Sequence, residues 1–251
     1  MPAKQDKVAP LLRAFALLER IAAGSSPLST ADAVALSGLP KPTIYRLLAT
    51  LEAAQLVSRE PGGRGIVTAP RLQRFALDVM QSASRNGPRN TILHRLAATV
   101  GETCNLATLD GGTVVYLDRV ESAWPLRMTL QPGSHVPLHC SASGKLLLAL
   151  LPVARRDRLV EQLALERYTP QTIIDRGEFV RELAGIRQRR IATDDEEYVE
   201  GLVCVAVPVM ARGRAVASVA IQAPVGRLAL SRALQLAPVL QESARALAAT
   251  F

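Results

Sequence analysis

The sequence predicts an α+β chain in two parts: an N-terminal helical head with a β-wing, and a larger C-terminal domain built on an antiparallel sheet. Three observations carry that expectation. A helix-turn-helix pattern culminates in the stretch GLPKPTIYRLLATLEAAQLV at 38–57. Positive charge is concentrated up to residue 88, where 11 Lys and Arg stand against 6 Asp and Glu, compared with 19 against 16 in the remainder. Beyond residue 100 the apolar period changes from helical to strand-like, with a hairpin signal at Asp110-Gly111-Gly112.

A length of 251 residues fits two domains at ~100–200 residues each, and 49% hydrophobic residues suffice for two cores. The boundaries expected are 1–69 for the head, 70–88 for a linker helix and 89–251 for the second domain. Cys104, Cys140 and Cys204 are odd in number and widely spaced, which suits neither a disulfide framework nor a zinc finger. A reducing cytoplasm is the compartment expected. The opening MPAKQDKVAP lacks the apolar core of a signal sequence, and no apolar run approaches the ~20 residues of a membrane span.

Taken in order, Val8, Leu11, Leu12, Phe15, Leu18 and Ala22 repeat as one face of a helix over 8–23, ended by Gly24-Ser25-Ser26-Pro27. Ser29 reads as an N-cap and Asp32 as an acidic first turn for a short helix through Leu36. After the turn at Gly38, Pro42 suits the first turn of the next helix. Ile44, Leu47, Leu48 and Leu51 give that helix its apolar face and leave Lys41, Thr43, Tyr45, Arg46 and Thr50 outside. Residues 58–68 form two β-prone runs around a Gly-rich tip that carries Arg64.

Pro70 then starts a helix whose stripe of Leu72, Phe75, Ala76, Val79 and Met80 needs a partner. The same helix of a second subunit would bury it and place two heads on a palindromic site; packing within its own domain is the competing reading. Residues 82–88 break the pattern. A helix with Ile92, Leu93, Leu96, Ala97 and Val100 opens the second domain, followed by strands at 103–109 and 113–120 and a further candidate at 126–130. Helices are expected near 143–151, 155–164 and 176–190, then a buried hairpin of 202–210 with 215–222. One closing helix, kinked at Pro238, completes the chain.

Chemical motifs are sparse. Gly144-Lys145 is followed by Leu146 and lacks the preceding glycine of a phosphate loop, and no G-x-S-x-G elbow occurs. His135 and His139 are spaced like a zinc pair, but Pro137 between them argues against a helix, so a metal role with Cys140 is left open. His139 is expected to hydrogen-bond within its domain, and His94 lies on a polar helix face. With three histidines and no dense acid/base cluster, catalysis is not expected, and no motif asks for a cofactor. The run 140–144, Cys-Ser-Ala-Ser-Gly, opens a helix with small residues, so backbone N–H groups and a positive dipole end would suit a carboxylate. Ser141 or Ser143 as an ordinary N-cap is the alternative. Asp195 and Glu196 read as part of a solvated acidic loop and Cys204 as a small core residue.

These pieces, in this order, resemble the IclR family of bacterial transcriptional regulators nearly end to end. Four stretches carry the resemblance: 38–57, GSHVPLHCSASGKLLLALLP at 133–152, ATDDEEYVEGLVCVAVPV at 192–209, and AIQAPVGRL at 220–228. The resemblance implies an N-terminal winged helix-turn-helix, a linker helix and a GAF-like effector domain, assembled as dimers and often as dimers of dimers. It implies regulation of catabolic operons by small organic or aromatic acids. It places Ala142, Ser143, Asp194, Cys204, Ala220 and Gln222 at the effector. Serines are common in the family at the last two positions, so Ala220 and Gln222 depart from the pattern and permit a larger or more amide-friendly ligand.

The function expected is therefore that of a cytoplasmic regulator bound to double-stranded DNA through Lys41, Thr43, Tyr45, Arg46, Thr50 and Arg64, and gated by a small acid. The alternative is an acid-binding enzyme or sensor whose basic head does not read DNA.

Overall fold

A computed structural model describes residues 5–24, 26–60, 65–84, 87–124 and 132–251, with backbone alone at 5–9 and 80–84. The chain divides into two compact units, Met1–Val79 and Met80–Phe251, and the architecture is α+β.

The first unit runs α1 (Gln5–Ala23), β1 (Leu28–Ser29), α2 (Thr30–Ser37), α3 (Lys41–Ala53), β2 (Val57–Arg59), β3 (Gly65–Thr68) and the start of α4 (Pro70–Ser84). Its core is one cluster of Leu17, Ile21, Ala33, Ile44, Leu48, Leu51, Val57 and Ile66; α3 contributes the stripe its sequence spacing sets aside, but α1 turns Leu17 and Ile21 inward and leaves Leu11, Leu12, Phe15 and Ala22 of the expected face exposed. Ser29 caps α2, its Oγ accepting the N–H of Asp32, and Gly38 in the left-handed region ends it. The wing strands β2 and β3 pair antiparallel. Beyond expectation, β1 adds a third strand, with Leu28 opposite Ile66 and Ser29 opposite Gly65. Gly65 is required there, because a Cβ would lie 2.2 Å from Pro27 Cβ. The wing tip with Arg64 lies outside the described residues, as does the candidate strand at 126–130.

The second unit continues with α5 (Pro88–Val100), β4 (Thr103–Asp110), β5 (Thr113–Val120), β6 (His135–Pro137), α6 (Ala142–Leu150), α7 (Val153–Gln162), α8 (Arg176–Arg189) and β7 (Ala192–Asp195). It closes with β8 (Leu202–Ala211), β9 (Arg214–Pro224), α9 (Leu230–Gln235) and α10 (Ala237–Ala248). Six strands form one antiparallel sheet in the order β6-β5-β4-β9-β8-β7. Alternation gives that sheet two faces. On one, Ala107, Tyr116, Ala192, Ala206 and Ala220 lie under α6 and α8, which contribute Leu146, Phe179, Leu183 and Ile186. On the other, residues of opposite parity such as Leu106, Val205, Val219 and Ile221 are buried as α5 and α10 pack against the sheet.

A further expectation needs correction, that of a single closing helix, and the burial of charged residues adds to the sequence reading. In the acidic run Asp195 is exposed and Glu196 partly so, in line with the solvated reading of those two, while Asp194 and Glu197 are buried and β7 takes Asp194 and Asp195 into the sheet edge. The closing segment is two helices, because it breaks at Leu236 and Pro238 occupies the first turn of α10, where its missing N–H is harmless. Lys145 is among the largest fully buried side chains, at 1% exposure, although sequence alone offers it only as a failed phosphate-loop lysine.

Candidate functional site

Two surfaces concern function, one in each unit. In α3 the face opposite Ile44, Leu48 and Leu51 carries Lys41, Tyr45, Arg46 and Thr50, all exposed, and Thr43, partly exposed. Tyr45 keeps 49% exposure, unusual for a ring that folding has no need to leave in water. Lys41 Nζ lies 5.9 Å from the centre of that ring, so cation and aromatic form one patch. Thr50 Oγ1 donates to Arg46 O at 2.9 Å, which keeps its methyl on the outer face. Pro40 supplies no side-chain cap, and its carbonyl accepts the N–H groups of Thr43 at 2.9 Å and Ile44 at 3.2 Å. At the far end Gln55 turns the chain through a positive φ of 58°, and Arg71 Nη1 donates to Ala54 O at 2.8 Å. These contacts fix where α3 stops and how the wing strand leaves it.

In the second unit, sheet register assembles a polar cluster from distant segments. One row across the sheet reads Ala192, Ala206, Ala220, Asn105 and Arg119; the next reads Asp194, Cys204, Gln222 and Thr103. The alanines of the first row belong to the core cluster that includes Leu146 of α6, and Asp194, Cys204, Ala220 and Gln222 share their face of the sheet. The alanines let α6 approach closely. Cys204 stays partly exposed although its strand is interior to the sheet. Ala142 and Ser143 form the first turn of α6 and are buried, while Ser141 is its N-cap, accepting the N–H of Gly144 at 3.2 Å. Gly144 is there for packing, since a Cβ would meet Leu138 O at 2.4 Å.

Two members of this cluster were missed from sequence. Arg119 Nη1 donates to Asn105 Oδ1 at 2.7 Å and to Gln222 Oε1 at 3.0 Å, and its side chain is 2% exposed. An arginine near the end of the apolar run TVVYLDRV is the signal that was available.

The electrostatics are those of a dry site. Burial lowers the affinity of Arg119 for its proton, against the pull of Tyr116, Glu121 and Cys204. It pushes up the Tyr116 hydroxyl and the Cys204 thiol, with Asp194 adding to the effect on Cys204, so both stay protonated at neutral pH. Cys140 rises to about 12 for the same cause. Asp194 rises to about 7 through burial and then Glu197, although its Oδ1 accepts the N–H of Glu197 at 2.8 Å and of Tyr198 at 3.3 Å. Near neutrality its carboxyl is therefore both donor and acceptor. The loop bearing it is pinned by an ion pair between Lys145 and Glu197, and Glu182 lies 3.9 Å from Lys145 Nζ.

The histidines take separate partners. His135 Nε2 meets Asp110 Oδ2 at 2.7 Å, His139 Nε2 meets Glu166 O at 2.8 Å, and His94 is exposed. Among the described residues no group of three or more His, Cys, Asp or Glu side chains is placed to hold a metal ion, and no helix is long and apolar enough to cross a membrane.

A helix-turn-helix with exposed donors, set in one unit, and a buried polar cluster on the face of an antiparallel sheet, set in another, fit a two-unit DNA-binding regulator. Residues 77–249 match the C-terminal domain of bacterial transcriptional regulator IclR, and residues 10–61 match the IclR helix-turn-helix domain. The chain belongs to the IclR family of transcriptional regulators. It is 46% identical over 244 residues to a probable transcriptional regulator, SauR, from Cupriavidus necator, covering 97% of each chain. The solved IclR structure from Thermotoga maritima is 28% identical, with a TM-score of 0.62 over 97% of this chain and 98% of that one. A double mutant of the PobR inducer-binding domain from Acinetobacter, in complex with 3-hydroxybenzoic acid, is 28% identical, with a TM-score of 0.58 over 63% of this chain and 94% of that one. The relatives are named as transcriptional regulators, and the helix-turn-helix assigns this chain to DNA.

Proposed function

We propose that the chain regulates a catabolic operon by binding a palindromic operator as a cytoplasmic homodimer, with pairing of dimers as a further step, and that a small organic acid gates it. In this reading residues 1–69 bind DNA, 70–88 link and pair two copies, and 89–251 bind the effector. Ala142 and Ser143 offer first-turn N–H groups to a carboxylate, while Asp194, Cys204, Ala220 and Gln222 form the floor beneath it. The observation that carries this is the register of Asp194, Cys204 and Gln222 in one row across β7, β8 and β9, the strands against which α6 packs. The hydroxybenzoic acid held by the PobR domain supports an acid as the ligand class. Gating is a population shift: the effector favours one arrangement of the paired subunits and so changes the spacing of the two heads.

On DNA, Lys41, Thr43, Tyr45, Arg46 and Thr50 approach bases and adjacent phosphates, and Arg64 reaches phosphate or minor groove from the wing. The test is fluorescence anisotropy against the promoter adjoining the chain's own gene and against random duplex. Arg46→Ala should cost ~1–3 kcal/mol on the operator and relax sequence preference, while Arg64→Ala should weaken both duplexes alike and flatten the salt dependence. Equal loss on both duplexes for Arg46→Ala rejects its role in base reading. An acid that raises the melting temperature yet leaves operator affinity unchanged rejects the gating.

A further inference from the structure

The connection between α7 and α8 carries aromatic side chains to the edge of the sheet at β6, where the second unit holds a cavity of about 360 Å³. Its walls include His135, Leu138, His139, Glu166, Tyr168 and Tyr198, and none of the residues placed at the acid effector lines it. No lysine or arginine is among its lining residues either. His135 Nε2 meets Asp110 Oδ2 at 2.7 Å, so any charge that ring takes up is matched by a carboxylate. Glu166 Oε2 accepts from the Tyr168 hydroxyl at 3.4 Å, a neutral donor that leaves the charge of Glu166 in place. An acid entering this cavity would meet a carboxylate and no cation. A cation would meet the reverse.

The aromatic walls extend this. The rings of Tyr168 and Tyr198 are 5.3 Å apart between centres with their planes at 68°, and the His139 ring lies 5.9 Å from that of Tyr168. One cation in such a corner can stand within about 6 Å of both phenol ring centres, the range of cation–π attraction. Tyr168 keeps 45% exposure, so the core does not claim its ring. Backbone contacts set the corner in advance. Thr172 Oγ1 accepts the N–H groups of Tyr168 at 3.1 Å and Thr169 at 2.9 Å, and donates to Glu197 O at 2.6 Å. The N–H of Tyr198, the next residue, goes to Asp194 Oδ1 at 3.3 Å, and His139 Nε2 meets Glu166 O at 2.8 Å. Both rings and the carboxylate thus stand on a fixed frame, which lowers the ordering cost of binding.

We infer that this cavity is a second ligand site of the chain, taking a small organic ammonium compound in the corner of Tyr168 and Tyr198 with Glu166 as its counter-charge. It goes beyond the acid effector reading and does not rest on it. Leu138 supplies the apolar surface that the alkyl groups of such a cation need, and the ring faces supply what a hydrated metal ion would not use.

The experiment is isothermal titration of the full-length protein, at constant ionic strength, with choline, with tetramethylammonium and with the neutral alcohol in which carbon replaces the choline nitrogen. Choline should bind about tenfold or more tighter than that alcohol, which has its shape without its charge. Tyr168→Leu should weaken choline roughly 5- to 30-fold, whereas Tyr168→Phe, which keeps the ring face and loses the hydroxyl, should stay within about threefold of the wild type. Glu166→Gln should weaken it about three- to tenfold; Glu166 is exposed, so this variant serves should Tyr168→Leu fail to fold. Equal affinity for choline and the alcohol, no heat with either cation, or an affinity that both Tyr168→Leu and Glu166→Gln leave unmoved overturns the site. Acetate and benzoate titrated alongside report on the acid reading alone, so that either reading can fail while the other stands.

Discussion

In α3 the polar side chains Lys41, Tyr45, Arg46 and Thr50 stand in solvent around a buried apolar face, whereas Asn105, Arg119, Asp194 and Gln222 are buried on the side of the sheet that faces α6. The difference is one of physical expense. An exposed donor is solvated before and after folding, so it is free to be chosen for DNA alone. A buried one must be desolvated and held by other polar groups, so any function it carries is tied to stability. The head should therefore tolerate losing its functional side chains, and the effector unit should not.

Lys145 tests this hardest. Its ammonium is paired with Glu197, whose side chain is 8% exposed, and Glu197 in turn anchors the turn beside Asp194. Removing one partner of a buried pair leaves the other uncompensated. Lys145→Met is expected to destabilise the effector unit by ~3–5 kcal/mol in urea unfolding, and Lys145→Met with Glu197→Leu to recover much of that. Burial raises the Glu197 carboxyl, against the pull of Lys145, so the single variant should lose less at acid pH, where Glu197 takes up a proton. A loss below about 1 kcal/mol, the range of exposed pairs, would erase the contrast between the two units.

Asp194 gives a smaller effect with a sign. Its carboxyl lies at about 7 in the fold against an ordinary 3.8, so the native state holds the proton more tightly than the unfolded chain. The resulting stabilisation is complete below pH ~4 and is lost as pH rises through ~7. Urea unfolding at about pH 5.5 and pH 8 should show the wild type losing on the order of 1–3 kcal/mol more than Asp194→Asn over that interval. Asn keeps an oxygen for the N–H groups of Glu197 and Tyr198 but does not titrate. Parallel behaviour of the two proteins would mean that Asp194 is solvated like the residues of α3.

The same contrast explains what could be read from sequence. The stripe of Ile44, Leu48 and Leu51 lies within one helix, so its period is visible locally and α3 is found at Lys41–Ala53. The hairpins are equally local: Asp110-Gly111-Gly112 links β4 to β5, and Ala211-Arg212-Gly213-Arg214 links β8 to β9. The polar cluster is different in kind. Asn105, Arg119 and Gln222 meet only because β5, β4 and β9 are neighbours in a given register, and register is a property of the assembled sheet. Asp194, Cys204, Ala220 and Gln222 were placed by resemblance, which points to positions but carries no partners. Lys145 and Glu197 look like surface charges in a sequence, because nothing local distinguishes a charge that will be buried with a partner 52 positions away. The two-residue β1 and three-residue β6 are too short to show a period at all.

The N-cap of α2 should give the smallest effect and fixes the scale for the head. Ser29 Oγ accepts the N–H of Asp32 at 3.1 Å and donates to Asp32 Oδ2 at 2.6 Å, both in contact with solvent. Water replaces much of what Ser29→Ala removes, so the head should lose about 1 kcal/mol in thermal or urea unfolding. DNA affinity should fall only as far as the folded fraction does, because α2 supports α3 through Ala33 while the reading side chains belong to α3 itself. A loss of operator affinity well beyond the loss of folded protein would place the cap at the DNA, and would mean that in the head too a single residue serves both stability and recognition.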